Sequence, residues 1–225
     1  IIITLASNQE SSAAMLDHAK AVVSLGQADS VSTNDIYVTL NRLISSPQLL
    51  AKMRHQAFKI CDGLGVSRVI SQISPPYSKE KKPITLRPAK LEDRDLIYSW
   101  QSHPGSRRFF KNPETPNWDE HVEWYSNTLD DPQRLLNIIL HDRIPVGYLR
   151  LDSLGTSNEY EVSVMVVPEA INKGIGTGAL RQARTLLPEA KFTADVSDEN
   201  EASRRLFMRT GYKLEGGRFI SSGSA

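Results

Sequence analysis

The sequence predicts an α/β chain in two parts: a partial doubly wound β-α-β-α-α unit, then a mixed sheet with helices on both faces. Three observations carry this. Short apolar runs alternate with helix-period stretches over residues 1–73. A stretch rich in Pro and Lys, Ser74 to Pro83, interrupts the pattern. Beyond it, the β-branched run ending at Val167 feeds a turn with Gly174, Gly176 and Gly178 at every second position, followed by the helix-like run Ala179 to Leu187.

At 225 residues, 40% hydrophobic and 24% charged, the chain has ample material for one large or two modest domains. A formal net charge of +1 gives no reason to expect nucleic acid or an anionic membrane surface as a bulk partner. The single cysteine, Cys61, has no internal disulfide partner and falls in a helical apolar pattern, so a small buried hydrophobe in a reducing cytoplasm is expected. No apolar run approaches the roughly 20 residues of a membrane-spanning helix, and no signal peptide is apparent. The chain has no initiator Met and begins inside the strand-like IIITLA, which suggests the C-terminal piece of something longer.

Ile1 to Ala6 reads as a buried strand. Ser7 with Glu10 three residues on makes a capping box, opening a helix with Ala13, Leu16 and Ala19 on one face. Val22 to Leu25 is a second strand, ended by Gly26. Asp35 opens a helix carrying Ile36, Leu40, Leu43 and Ile44, and Pro47 begins another carrying Leu50, Met53, Ala57 and Ile60. Gly63-Leu64-Gly65 suits a helix stop, and the apolar piece Val66 to Ile73 closes the segment. This order, with ASNQ after the first strand and DGLGVSRV near the end, resembles the C-terminal lobe of the UDP-sugar hydrolases of pseudaminic acid biosynthesis, relatives of the MurG glycosyltransferases. The resemblance implies a lobe remnant over residues 1–74 without the hydrolytic groups. It also implies that Asn8 and Gln9 match nucleotide-sugar positions, although helix capping is the plainer account of them.

SPPYSKEKKP, with three prolines and three lysines, reads as an extended linker over 75–83 and the domain boundary. The strand ITLRPA then leads to Glu92 and Asp93 at a helix start, with the helix running to about Trp100. HPGSRRFFKNPETPNW is irregular and mixes aromatic with basic residues, as binding loops do. The helix after it carries His121, Trp124 and Tyr125. Trp100, Phe109, His121 and Trp124 are candidates for binding a substrate, each set against a plain packing role. Leu135 to Leu140 and Pro145 to Leu151 read as strands joined by a turn at His141 to Arg143, with further strands at Tyr160 to Val167 and Lys191 to Val196. No His/Cys cluster has metal-ligand spacing, so no metal is expected.

A strand feeding a glycine-rich turn into a helix start suits an anion, because unpaired N–H groups face it and Lys173 adds a positive charge. Gly-Lys-Ser/Thr and the dinucleotide spacing are both absent. Together with NEASRRLFMRTGY at Asn200 to Tyr212, the turn resembles the acetyl-CoA core of the GNAT superfamily of N-acetyltransferases, over roughly residues 84–220 with a tail at 221–225. The resemblance implies a mostly antiparallel sheet whose open strand edge, at Val164, Met165 and Val166, holds the acetyl and pantetheine arm. Asn172, Lys173, Gly174, Ile175, Gly176 and Thr177 would cradle the pyrophosphate, and Asn200 would bond the pantetheine amide or cap the last helix. It implies Asp195 as base, working through water with Ser163; Glu161, on the same strand face as Ser163, comes second.

Two positions depart from the family pattern. Ile171 stands where Gln or Arg usually opens the glycine turn, and Phe207 where a Tyr usually protonates the leaving thiolate. Three functions stay open: acetylation of a nucleotide-linked amino sugar, in a pathway of the pseudaminic acid type; acetylation of protein N-terminal α-amines; or a non-catalytic module that binds acetyl-CoA or a sugar nucleotide. The first is favoured by the upstream sugar-nucleotide resemblance. A homo-oligomer is compatible with all three.

Overall fold

The computed structural model describes residues 1–110, 112–155 and 158–221 and divides into two compact units, Ile1–Gly65 and Val66–Ala225. The division comes before Ser74, where the linker composition placed it, because Val66 to Ile73 forms a helix bonded to the second unit. Of the expected tail at 221–225, Ser221 belongs instead to the last strand, where it pairs with Phe192, and 222–225 lie outside the described residues.

In the first unit, β1 (Ile2–Thr4) pairs parallel with β2 (Ser24–Gln27), and α1 (Glu10–His18) makes the crossover. The expected Ser7 capping box does not form. Ser7 to Gln9 is a 3-10 turn, the Gln9 carboxamide oxygen accepts from the Leu5 N–H at 2.8 Å, and the α-helix slides to start at Glu10. The box sits instead at α2 (Thr33–Ile44), where Ser32 and Asp35 exchange side chain and backbone bonds. α3 (Pro47–Ile60) begins on Pro at its first turn. Cys61, expected to be buried, is exposed; it lies one residue past α3 with φ −145°, out of the helical stripe.

The second unit opens with α4 (Gly65–Ile73), followed by β3 (Ile84–Pro88), α5 (Arg94–Ser102), the short α6 (Pro104–Arg107), α7 (Trp118–Asp130), β4 (Arg134–His141), β5 (Ile144–Ser153) and β6 (Glu159–Val166). Then come α8 (Ile175–Leu186), β7 (Lys191–Ala194), α9 (Glu201–Arg209), β8 (Lys213–Glu215) and β9 (Arg218–Ser221). The seven strands run in the order β3-β4-β5-β6-β7-β9-β8, antiparallel except for the parallel pair β6–β7. Asp142 and Arg143, both at positive φ, make the two-residue turn between β4 and β5.

The sheet has two covered faces. On one, Ile138, Tyr148 and Met165 pack under Ile97 of α5 and Tyr125 of α7. On the other, α8 buries Ile175, Ala179, Ala183 and Leu186. Gln182, on that helix, donates to the Ser71 carbonyl at 3.1 Å and to the Ile84 carbonyl at 3.0 Å, tying α4 and β3 to α8. The expected extended linker is a folded turn: Tyr77 bridges Pro83, and the buried Ser78 hydroxyl meets His141 Nε2 at 2.9 Å.

Candidate active site

β6 and β7 pair only where Glu159–Glu161 face Lys191–Thr193. Beyond that vertex β6 continues from Val162 to Val166, paired with β5 on one side and with no strand on its β7 side among the described residues. Main-chain groups alternate sides along a strand. The Val167 N–H donates to the Val146 carbonyl of β5, whereas the Asn158 carbonyl accepts from the Lys191 N–H of β7. Val164 and Val166 therefore turn their N–H and C=O toward the open side. Met165, expected with them, turns its main chain to β5, where its carbonyl lies beside Gly147, and its side chain into the core.

The open edge leads to the glycine turn. Asn172 at φ 65° and Gly174 at φ 83° are both left-handed, and Gly174 caps α8 without a side-chain bond. The Gly178 N–H makes the bond to the Gly174 carbonyl, so the N–H groups of Ile175, Gly176 and Thr177 have no intrahelical acceptor and point out of the N-terminus of a 12-residue helix. The three glycines serve different purposes. Gly174 supplies the backbone conformation; a Cβ on Gly176 would sit 2.9 Å from a Leu206 methyl, and one on Gly178 would sit 2.4 Å from Ile84 Cδ1. Only the first acts on the turn itself. Ile175 is buried, which leaves its main chain alone for a ligand. Lys173 Nζ is paired with Glu80 at 3.1 Å, and its carbonyl accepts from the Lys79 N–H.

Strand register assembles a polar row on the face under α5 and α7. Arg134, Asp152, Glu161 and Thr193 stand opposite one another on β4, β5, β6 and β7, at the vertex itself. The next row holds Arg150 and Ser163, and its β7 position is open. Glu161 accepts from Arg218 of β9 at 2.8 Å. Arg150 places both Nε and Nη2 on Asp152 Oδ2 at 2.9 Å, and its guanidinium lies 5.9 Å over the Trp124 ring. Burial pushes the Asp152 carboxyl up from its ordinary value against the pull of Arg150 and Arg134.

The residues singled out in the sequence divide accordingly. Ser163, Glu161 and Trp124 come together at the vertex, and Val164, Val166 and the 172–177 turn line the cleft. Asp195 is exposed, one residue beyond β7. Asn200 caps α9, its oxygen accepting from the Ser203 N–H at 3.0 Å. His121 is not placed for substrate: it is 2% exposed, its Nε2 meets the Arg94 carbonyl at 3.0 Å, and Tyr98, Trp118, Trp124 and Tyr125 surround it. Trp100 packs on the core, and Phe109 lies under Arg108. Asp152, Arg150 and Thr193 were not singled out. Their only sequence signal was polar residues on alternate positions of strands that were already recognised.

The Acetyltransferase (GNAT) domain family matches residues 84–213, more than half of the chain. The chain belongs to this family. It is an acetyl-CoA-dependent N-acetyltransferase. Similar solved structures include the spermidine N-acetyltransferase of Vibrio cholerae with CoA and spermine, 18% identical over 61% of this chain and 91% of that one, TM-score 0.54. Aminoglycoside acetyltransferase AAC(6')-Ib with ribostamycin and coenzyme A is 20% identical over 62% and 93%, TM-score 0.57. The ribosomal alpha-N-protein acetyltransferase RimL with coenzyme A is 13% identical over 62% and 94%, TM-score 0.56. At these identities the likeness is one of fold, and it fits the GNAT sheet described above. No curated protein matches the chain. No helix among the described residues is long and apolar enough to cross a membrane.

Proposed function

We propose that the enzyme acetylates the primary amine of a nucleotide-linked amino sugar. The observation that carries this reading is the vertex row, with Asp152 and Glu161 side by side below an open strand edge. Two carboxylates attract an ammonium group. The basic and aromatic stretch Arg107 to Phe110 offers a diphosphate and a base the opposite chemistry, with Arg108 stacked 5.1 Å over Phe109. An acceptor carrying both an amine and a nucleotide diphosphate uses both surfaces, and the sugar-nucleotide resemblance of residues 1–74 supports the same class.

On this reading acetyl-CoA lays its pantetheine arm along the main chain of Val164 and Val166. Its pyrophosphate meets the N–H groups of the 172–177 turn, which align with the positive end of α8. A free N–H at the open edge stabilises the oxyanion as the amine attacks the thioester. Phe207 gives no proton, and the departing thiolate, with a thiol pKa of ~8.5, leaves without one. The experiment is thiol release from acetyl-CoA with a UDP-linked 4-amino sugar, its 4-hydroxy counterpart, spermidine and an N-terminal peptide. Release confined to the amino sugar supports the reading; release with spermidine or the peptide alone transfers the enzyme to another acceptor class.

A further inference from the structure

Three carboxylates lie near the vertex, and their surroundings differ. Glu161 is engaged by the Arg218 guanidinium. Asp195 is exposed, one residue beyond the end of β7. Asp152 is held at one oxygen only. Both Arg150 nitrogens converge on Oδ2, while Oδ1 is buried and accepts no hydrogen bond. Beside this row the Thr193 hydroxyl is also buried and unpartnered, in a residue that is 7% exposed. Register places Thr193 on the same face as Asp152, across Glu161. Buried polar atoms nearly always find a partner, because leaving them unmatched is costly. Two orphaned oxygens at the closed end of an open strand edge point to a ligand that supplies N–H donors.

We propose that Asp152 Oδ1 receives the ammonium group of the acceptor and takes its proton, with the Thr193 hydroxyl, on the far side of Glu161, as the acceptor for a neighbouring polar group of the same molecule. This deepens the amine-acceptor reading and rests on it. The protons balance as follows. The R–NH3+ group gives one proton to Asp152, which passes it to water. The neutral amine attacks the thioester carbonyl, the C–N bond forms and the C–S bond breaks. A second proton leaves the nitrogen as the amide forms and ends on the coenzyme thiol. Arg150 holds Asp152 in place without covering Oδ1. The charged groups facing Asp152 are Arg150 on its own strand, Arg134 of β4, which is also paired with Asp131, and Glu161 of β6, which is itself engaged by Arg218. From α7 come the Thr128 hydroxyl, against Arg134, and the Trp124 ring, against Arg150. The burial that lifts this carboxyl also suits it to accept a proton nearer neutral pH.

The test compares wild type with Asp152→Asn, Asp152→Glu, Thr193→Val and Asp195→Asn. Asp152→Asn is expected to lower kcat/KM about 100-fold or more and to abolish the acid limb of its pH profile. Asp152→Glu is expected to restore part of the rate and the limb. Thr193→Val, of the same shape, is expected to raise the acceptor KM several-fold. Acetyl-CoA affinity by calorimetry stays within about twofold in all four, which separates loss of chemistry from loss of fold. An Asp152→Asn enzyme with the wild-type profile, or a loss confined to Asp195→Asn, overturns the proposal. If the amino sugar is inert but spermidine is acetylated, the acceptor reading fails and the same variants decide the role of Asp152 on spermidine. If neither turns over, the 13C carboxyl signal of Asp152 is titrated with the UDP-linked 4-amino sugar. A response absent with the 4-hydroxy sugar upholds the site, and no response overturns it.

Discussion

Lys173 and Glu80 form an ion pair of 3.1 Å beside the N-terminus of α8, on the cation to which the proposed function gives the cofactor pyrophosphate. Its hydrogen bond to Lys173 holds the Glu80 carboxyl below its ordinary value. Glu80 belongs to a turn that precedes the matched family domain, so this competition is a feature of the chain beyond the domain. Replacing Glu80 with Gln frees Lys173 for phosphate. The KM for acetyl-CoA is expected to fall about two- to fivefold at low salt and to converge with wild type at high salt. Lys173→Gln is expected to move it the other way.

Burial favours the neutral form of His121. Burial lowers its pKa from 6.5, outweighing its bond to the Arg94 carbonyl. In the unfolded chain the same imidazole protonates first as pH falls. Its contribution is therefore complete above about pH 6.5 and is lost as pH drops through the lowered folded value. Thermal unfolding followed from pH 7.5 downward, about one unit at a time, is expected to show this loss, and His121→Leu is expected to flatten it. At neutral pH the variant costs about 1–3 kcal/mol for the missing bond and ring contacts.

A methyl on Gly178 meets Ile84 Cδ1 at 2.4 Å and Cβ at 3.1 Å. Gly178→Ala is expected to cost about 1–3 kcal/mol by overpacking α8 against β3. Ile84→Val removes the colliding atom, so in a double-mutant cycle it recovers part of that loss. Gly174→Ala has room but keeps φ at 83°, and its strain of about 1–2 kcal/mol falls on the turn. Acetyl-CoA affinity is expected to drop in Gly174→Ala and to hold in Gly178→Ala.

Phe207 is buried between Tyr212, 4.9 Å away edge-on, and Phe219, stacked at 5.7 Å. It is a packing residue. Tyr212, the nearest phenol, is buried as well, and burial pushes its pKa far above that of an ordinary tyrosine. Tyr212→Phe is therefore expected to change kcat less than about threefold; a loss of about tenfold or more would give it the role of acid to the thiolate.

Much of the fold was legible because its signals are local. Strand alternation, the Pro47 helix start and the strand–glycine–helix passage each show within a short window. The Gly216-Gly217 pair between two short runs also marks the β8–β9 hairpin, both residues taking positive φ, but so brief a pair of strands is easily passed over. The cap at Ser7 misled because the same Ser-x-x-acid spacing occurs at Ser7 and at Ser32, and only the Ser32 oxygen accepts from the N–H three residues on. The site was less legible. The open edge of β6 follows from where β7 ends its pairing, and the standing of Asp152 depends on register, on which oxygen Arg150 takes and on what lies above it. None of these is written in the neighbouring residues.

On the proposed function this chain acetylates a sugar amine. The most direct measurement is thiol release from acetyl-CoA with a UDP-linked 4-amino sugar against its 4-hydroxy counterpart, with the product examined for a new amide. Release that requires the amine and yields the N-acetyl sugar is the predicted result. Absence of release with the amino sugar, while spermidine or a peptide N-terminus is acetylated, would contradict it.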